Sequence, residues 1–68
     1  MTPEALSQWR QRLKPERGKV ASKAQAARAL LVPVRTYEDW EAGRRRIPGP
    51  VALACSAVLW GLPPFAGQ

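Results

Sequence analysis

Arginine is the residue type in this sequence best suited to chemistry, and three stand in a row at Arg44, Arg45 and Arg46. A guanidinium donates several hydrogen bonds in one plane, so it binds phosphate oxygens and can donate twice to the edge of a guanine. The chain holds 11 Lys and Arg against 5 Asp and Glu, a net charge of +6, and every charged residue lies between Glu4 and Arg46. This imbalance predicts a polyanionic partner.

The remaining residue types leave little material for catalysis or metal binding. The chain has no histidine and a single cysteine, Cys55. Without histidine, neither imidazole acid-base chemistry nor a histidine-activated nucleophile can be assembled. One cysteine permits neither an internal disulfide nor a zinc site. We therefore expect no enzyme, no metal site, no cofactor and no small-molecule ligand.

The length of 68 residues predicts a single domain, whose core alone would supply only about 3–5 kcal/mol of stability. The uncharged stretch after Arg46 contains an apolar helix of about ten residues, roughly 15 Å long. That is too short for the ~30 Å hydrocarbon core of a membrane. The first residues show no signal-peptide pattern. These features predict a cytoplasmic protein with no membrane contact.

Breakers and caps divide the chain into four short helices. Thr2-Pro3-Glu4 starts the first, Ser22 with Gln25 forms a capping-box pattern at the second, and Gly43 suits the position after the third. The stretch from Lys14 to Lys19 contains both a proline and a glycine and predicts a loop. The predicted helices run over about 3 to 14, from 22 to the Val32-Pro33 pair, over about 33 to 42, and from 49 to a stop at Gly61.

Apolar residues differ between the third and fourth helices. Val34, Tyr37 and Trp40 recur every three residues, which predicts one inward stripe. The fourth helix has only Ser56 as a polar residue, so it must be covered on all sides. Three other short helices cannot provide that cover, and we expect part of this surface to meet a second copy of the chain. The predicted dimer-interface residues are Val58, Leu59, Trp60, Leu62 and Phe65.

The segment KAQAARALLVPVRTYEDWEA, residues 23 to 42, combines two short helices, a tight turn, alanines on the first helix and polar groups on the second. It resembles the Cro/C1-type (XRE-like) helix-turn-helix family, in particular the small autoregulators of phages and mobile elements. Ala27 stands at the family's small-residue position, and residues 40 to 43 read like its W-E-x-G ending. Its buried positions hold Leu30, Val32, Tyr37 and Trp40. The resemblance covers residues 5 to 60 and is specific over 23 to 48.

This resemblance implies an all-α fold, a four- to five-helix bundle of the lambda-repressor-like DNA-binding type. One domain would span 1 to 68, with a helix-turn-helix core at about 22 to 42 and a dimer contact within 49 to 68. The function implied is a homodimeric repressor that binds double-stranded DNA in the major groove at a palindromic operator. An alternative is a protein-interaction module on the same fold, antitoxin-like or inhibitor-like. RNA binding has less support, because no aromatic side chain is free to stack on unpaired bases.

The same resemblance assigns roles to individual residues. On the third helix Arg35 would read guanine, Val34 a thymine methyl and Glu38 a cytosine amine, with Thr36 and Asp39 flanking them. Arg10 and Glu41 would form a structural ion pair. The expected phosphate contacts are Lys23, Gln25, Arg28, Arg44, Arg45, Arg46 and the backbone at Gly49 near the start of the fourth helix.

Three departures from the family pattern concern local geometry. Leu31 occupies the turn position where the family prefers glycine, so it adopts a left-handed conformation at a cost of about 1 kcal/mol or more, or the turn differs. Pro33 stands where a serine cap is common. The loop from Lys14 to Ala21 is longer than the usual connection between the first two helices.

Overall fold

A computed structural model describes residues 1–65, which form four helices and no strand apart from an isolated bridge between Glu16 and Lys19. The helices are α1 (Pro3–Arg12), α2 (Lys23–Ala29), α3 (Val34–Glu41) and α4 (Gly49–Leu59). The prediction of an all-α fold is confirmed. The predicted first helix was too long by two residues at its end, because the backbone at Leu13 is extended. The predicted second helix also ran too far, because the chain turns after Ala29.

Side-chain oxygens cap the first two helices at their amino ends. The Thr2 hydroxyl accepts a hydrogen bond from the Ala5 N–H at 3.0 Å. At α2, the Ser22 hydroxyl accepts from the Gln25 N–H at 3.1 Å, while Gln25 Oε1 accepts from the Ser22 N–H at 2.8 Å. This reciprocal pair is the capping box that the sequence predicts, and it satisfies backbone donors that the helix itself leaves unpaired.

The last three helices all end in the same backbone motif. In each, a residue with positive φ follows the helix, and two N–H groups return to carbonyls of the last turn. Gly43 ends α3 with φ 77° and Gly61 ends α4 with φ 72°. Leu31 holds the equivalent position after α2 with φ 60°. Of these three positive-φ residues, Leu31 is the one that is not glycine.

The core forms where α3 packs against both α1 and α2. Tyr37 lies at its centre, with ring centroids 6.5 Å from Trp9 and 6.4 Å from Trp40. Ala27 is fully buried, which lets α2 approach α3 closely. Leu30 and Val32 are half-buried and pack against this cluster. The buried cluster comprises Leu6, Trp9, Ala26, Ala27, Tyr37, Trp40, Ile47 and Cys55.

Helix α4 contributes little to this core. Its buried residue is Cys55, whose carbonyl oxygen accepts a hydrogen bond from Trp9 Nε1 at 2.9 Å. Leu53 is 76% exposed and Trp60 is 83% exposed. Within one protomer the other helices therefore leave part of this apolar helix uncovered, as the sequence predicts. None of the four helices in residues 1–65 combines the length and apolar character needed to cross a membrane.

Candidate nucleic-acid interface

The outward face of α3 carries a small set of residues able to contact bases. Arg35 and Glu38 are exposed and, three residues apart, lie on the same side of the helix. Val34 is 42% exposed at the first turn. Thr36 is half-buried. The opposite side of α3 is held in the core by Tyr37 and Trp40, and this fixes the direction in which Arg35 points.

The connection between α2 and α3 places these two helices side by side. The Val32 N–H donates to the Ala27 carbonyl at 3.0 Å, and the Leu31 N–H donates to the Arg28 carbonyl at 3.1 Å. Leu31 takes the left-handed conformation, the first of the two alternatives that the sequence left open. Pro33 then precedes α3 in an extended conformation, with no side-chain cap. The turn after α2 thus has leucine in the left-handed conformation, at a position that favours glycine.

A bidentate ion pair between Arg10 and Glu41 links α1, the end of α3 and the loop just before α2. Arg10 on α1 donates from Nε to Glu41 Oε2 at 2.7 Å and from Nη2 to Oε1 at 3.2 Å. Its Nη1 donates to the Ala21 carbonyl at 3.0 Å. The Tyr37 hydroxyl donates to the same Glu41 carboxylate. The pair that the resemblance implies is present, and through Ala21 it also holds the residue just before the cap of α2.

This network shifts the pKa values of its members. Burial favours a neutral Glu41, but hydrogen bonds from Arg10 and Tyr37 and the positive charges of Arg10 and Lys23 outweigh it, so the pKa of Glu41 is lowered. The hydrogen bond to Glu41 raises the pKa of Arg10. Burial, reinforced by the Glu41 carboxylate, raises the pKa of Tyr37. Glu41 is therefore a carboxylate at neutral pH, and Tyr37 is a neutral donor.

Polar and cationic groups lie along α2, from its first turn to its last. Lys23 and Arg28 are exposed, and Gln25 is half-buried. Lys23 lies close enough to Glu41 for its charge to act on that carboxylate. Gln25 uses Oε1 in the capping box, so its Nε2 is the group that could donate to a phosphate. The beginning of α2 and the end of α3 therefore lie on one side of the molecule.

The three consecutive arginines are not equivalent. Arg44 Nε donates to Asp39 Oδ1 at 3.0 Å, and the Arg44 N–H donates to the Asp39 carbonyl at 2.9 Å. Asp39 is thus engaged within the protein, which weakens its assignment as a residue flanking the bases. Arg45 and Arg46 are exposed and line a cavity of about 400 Å³ together with residues 1–3 at the start of α1. They are the arginines of this loop free of an ion pair within the described residues.

The predicted roles of the start of α4 and of the dimer-interface residues can be compared with their hydrogen bonds and their exposure. The Val51 N–H donates to the Pro48 carbonyl at 3.0 Å, and Pro50 has no N–H, so the Gly49 N–H is the remaining early donor. Leu59, Trp60, Leu62 and Phe65 are all exposed. Val58, in contrast, is half-buried and packs against the protomer's own core.

Sequence reasoning missed two contacts of this site. The bond from Arg10 to the Ala21 carbonyl joins residues that no motif relates, and it depends on how the loop folds back. The Asp39–Arg44 pair spans five residues and forms only because Gly43 reverses the chain between them. In the sequence, a glycine ends the helix, an acid precedes it and a base follows it. This pattern could have indicated the pair.

Residues 1–65 contain no cluster of three or more His, Cys, Asp or Glu residues arranged to hold a metal ion. Burial raises the pKa of the Cys55 thiol to about 11, which leaves it an unreactive thiol at neutral pH.

Comparisons with family models, with curated protein sequences and with solved structures find no match to this chain.

Proposed function

We propose that this chain is a sequence-specific, double-stranded DNA-binding regulator of the Cro/C1-like helix-turn-helix type. The observation that carries the proposal is the outward face of α3, with exposed Arg35 flanked by the cations of α2 and of the loop after α3. A helix presented in this way fits the major groove, where its first residues meet base edges.

The face of α3 divides into a base-reading part and supporting parts. Arg35 would donate twice to guanine O6 and N7, a contact worth about 1–3 kcal/mol of discrimination. Val34 would meet a thymine methyl group, and Glu38 would accept from a cytosine amine while repelling misplaced phosphates. Thr36, which is half-buried, would contribute less than Arg35 to this contact.

Phosphates would be bound on two sides of the base-reading face. Lys23, the Gln25 amide and Arg28 serve one side, and Arg45 with Arg46 serves the other. Arg44 would contribute less, because Asp39 offsets its charge. The Gly49 N–H would supply one further contact. Such contacts fix the docking register and the affinity without selecting a sequence.

The proposal includes a homodimer and a role as a repressor. The exposed side chains of Trp60 and Phe65 alone offer roughly 300–450 Å² of apolar surface. That is about half of the ~800 Å² that each partner buries in a stable interface. A two-fold dimer would read half-sites about 34 Å apart on a palindromic operator. Replacing Trp60 and Phe65 by serine should give a folded monomer in light scattering, since both side chains are more than four-fifths exposed.

Selection of bound duplexes from a random pool tests the function directly, and a palindromic consensus is the expected result. Arg35→Ala should then lose preference at one base pair in each half-site. Arg45→Ala should keep the consensus and weaken binding to every duplex. Arg12→Ala is the matched control, because this exposed arginine lines a groove between α1 and Leu59 of α4, away from α3. Equal affinity for selected and random duplexes would refute a sequence-specific regulator.

A protein-interaction module is a second candidate, and the exposed apolar surface of α4 favours it. In that case the same chain would bind a protein partner through Leu53, Trp60 and neighbouring residues. Binding would be insensitive to salt, and Arg35→Ala would leave it unchanged. The DNA selection distinguishes the two candidates, because a module of this kind would enrich no consensus.

A further inference from the structure

The loop between α1 and α2, residues 13–22, carries cations that the proposed interface does not use. Lys14, Arg17 and Lys19 are all exposed. The one acid of the loop, Glu16, pairs with Lys19 at 3.6 Å, which leaves Lys14 and Arg17 without an ion-pair partner in residues 1–65. Both side chains are thus available to an anionic ligand.

Backbone hydrogen bonds give this loop a definite shape. The Lys19 N–H donates to the Glu16 carbonyl at 3.0 Å and closes a turn with Arg17 and Gly18 at its tip. Gly18 has φ 78°, a conformation that favours glycine. At the base, the Ala21 N–H donates to the Leu13 carbonyl at 2.9 Å. The tip therefore projects from a closed base, and less conformational entropy is lost when it binds a ligand.

Two contacts place the base of the loop beside the proposed DNA-binding surface. Arg10 bonds both the Ala21 carbonyl and Glu41, so the end of the loop is held against the end of α3. Lys14 lines the same groove as Gln25 of α2. Lys14 thus adjoins the face of α2 that carries Gln25, one of the proposed phosphate contacts.

We infer that this loop is an additional phosphate-binding element, in which Lys14 and Arg17 bind backbone phosphates of double-stranded DNA next to those bound by α2. The inference rests on the proposed DNA-binding function. Phosphate contacts carry no sequence information, so the loop raises affinity and leaves base preference unchanged. Its length, greater than a simple helix-to-helix connection needs, is what carries Arg17 away from the protein body.

Salt titration of DNA binding tests the inference. Affinity for a selected duplex is measured by fluorescence anisotropy between about 50 and 200 mM salt, where each phosphate contact contributes about 0.9 to the slope of log K against log salt. Arg17→Ala and Lys14→Ala should each reduce the slope by about that amount per subunit and weaken binding several-fold. The matched control is Arg12→Ala, which removes an exposed arginine on the groove that faces α4.

The outcomes distinguish a failure of this inference from a failure of the proposed function. A smaller slope for Arg17→Ala with an unchanged consensus, and a wild-type slope for Arg12→Ala, supports the loop contact. Equal slopes for Arg17→Ala and Arg12→Ala overturn it and leave the proposed function standing, provided that Arg45→Ala still reduces the slope. Absence of a consensus for the wild-type protein overturns the proposed function itself. Circular dichroism checks that each variant is folded, since exposed substitutions usually change stability little.

Discussion

The Arg10–Glu41 pair permits a sharp test of how this small fold is held together. We predict that Arg10→Met is strongly destabilising, and that adding Glu41→Gln to it restores part of the lost stability. In the folded protein the Glu41 side chain is 6% exposed and the Arg10 side chain is 19% exposed. Removing the guanidinium leaves a nearly buried carboxylate with the Tyr37 hydroxyl as its remaining donor.

The magnitude follows from this burial. Removing one partner of a buried ion pair costs about 3–5 kcal/mol, and the partial exposure of Arg10 places this case near the lower end, at about 3 kcal/mol. A domain of this size has only about 3–5 kcal/mol in total. Arg10→Met alone should therefore be close to unfolded. In the double variant a neutral amide replaces the uncompensated charge, so the free energy of unfolding should rise by about 1 kcal/mol relative to Arg10→Met.

Urea unfolding, followed by tryptophan fluorescence at pH 7, measures all four members of the cycle. The control cycle uses Glu16 and Lys19, an exposed pair at 3.6 Å, for which the coupling should be about 0–1 kcal/mol. The coupling between Arg10 and Glu41 should be about 2 kcal/mol. The reasoning fails if the double variant is less stable than Arg10→Met, or if both pairs show the same coupling. Should Arg10→Met not fold at all, Arg10→Lys provides the milder perturbation, because an ammonium cannot replace the bidentate fork.

Two further predictions concern the turn and acid stability. Leu31→Gly should raise the free energy of unfolding by about 0.5 kcal/mol, since relief of the left-handed leucine (~1–2 kcal/mol) exceeds the entropic cost of glycine (~0.5–1 kcal/mol). Leu31 is 73% exposed, so its replacement by glycine removes little buried surface. Thermal unfolding measures the effect, and Leu31→Gly should raise the melting temperature. Gly61→Ala is the control, because Gly61 has an equivalent φ of 72° and the substitution should lower the melting temperature. Because the pKa of Glu41 is lowered on folding, its contribution is present above the ordinary carboxyl pKa and is lost as pH falls through the lowered value. Glu41→Gln should flatten this acid limb in urea titrations, and an unchanged limb would show that Glu41 does not contribute to it.

Local signals in the sequence were sufficient for the helices. The Thr2 cap, the Ser22 capping box and the glycines after α3 and α4 act within a few residues, so their hydrogen bonds form as the residue types predict. In the predicted inward stripe, Tyr37 and Trp40 are buried as expected, but the prediction was wrong for Val34, which is exposed at the first turn of α3. Helix ends were less accurate, because the exit from α2 depends on Leu31 adopting a conformation that leucine disfavours.

The environment of the candidate site was harder to predict, because it depends on chain reversals. Sequence spacing indicates that Arg35 and Glu38 share a face, but it does not show that Asp39 turns back to Arg44. Nor does it show that the carbonyl of Ala21 accepts from Arg10. The first contact crosses the chain reversal at Gly43, and the second depends on how the loop after α1 folds back onto α1. Periodicity within one helix contains no information about such contacts.

The chain has a net charge of +6, and the acids determine which of its cations remain unpaired. Glu41 neutralises Arg10 in the interior, and Asp39 and Glu16 pair with Arg44 and Lys19. These pairs offset cations at the ends and loops of the helices, while Arg35 is left exposed on α3. Glu38 is the acid that shares the outward face of α3 with Arg35. A carboxylate there repels phosphates and accepts hydrogen bonds only from base donors, so it opposes non-specific binding. Under the proposed function, the cations around α3 would supply affinity, and Glu38 would make that affinity depend on sequence.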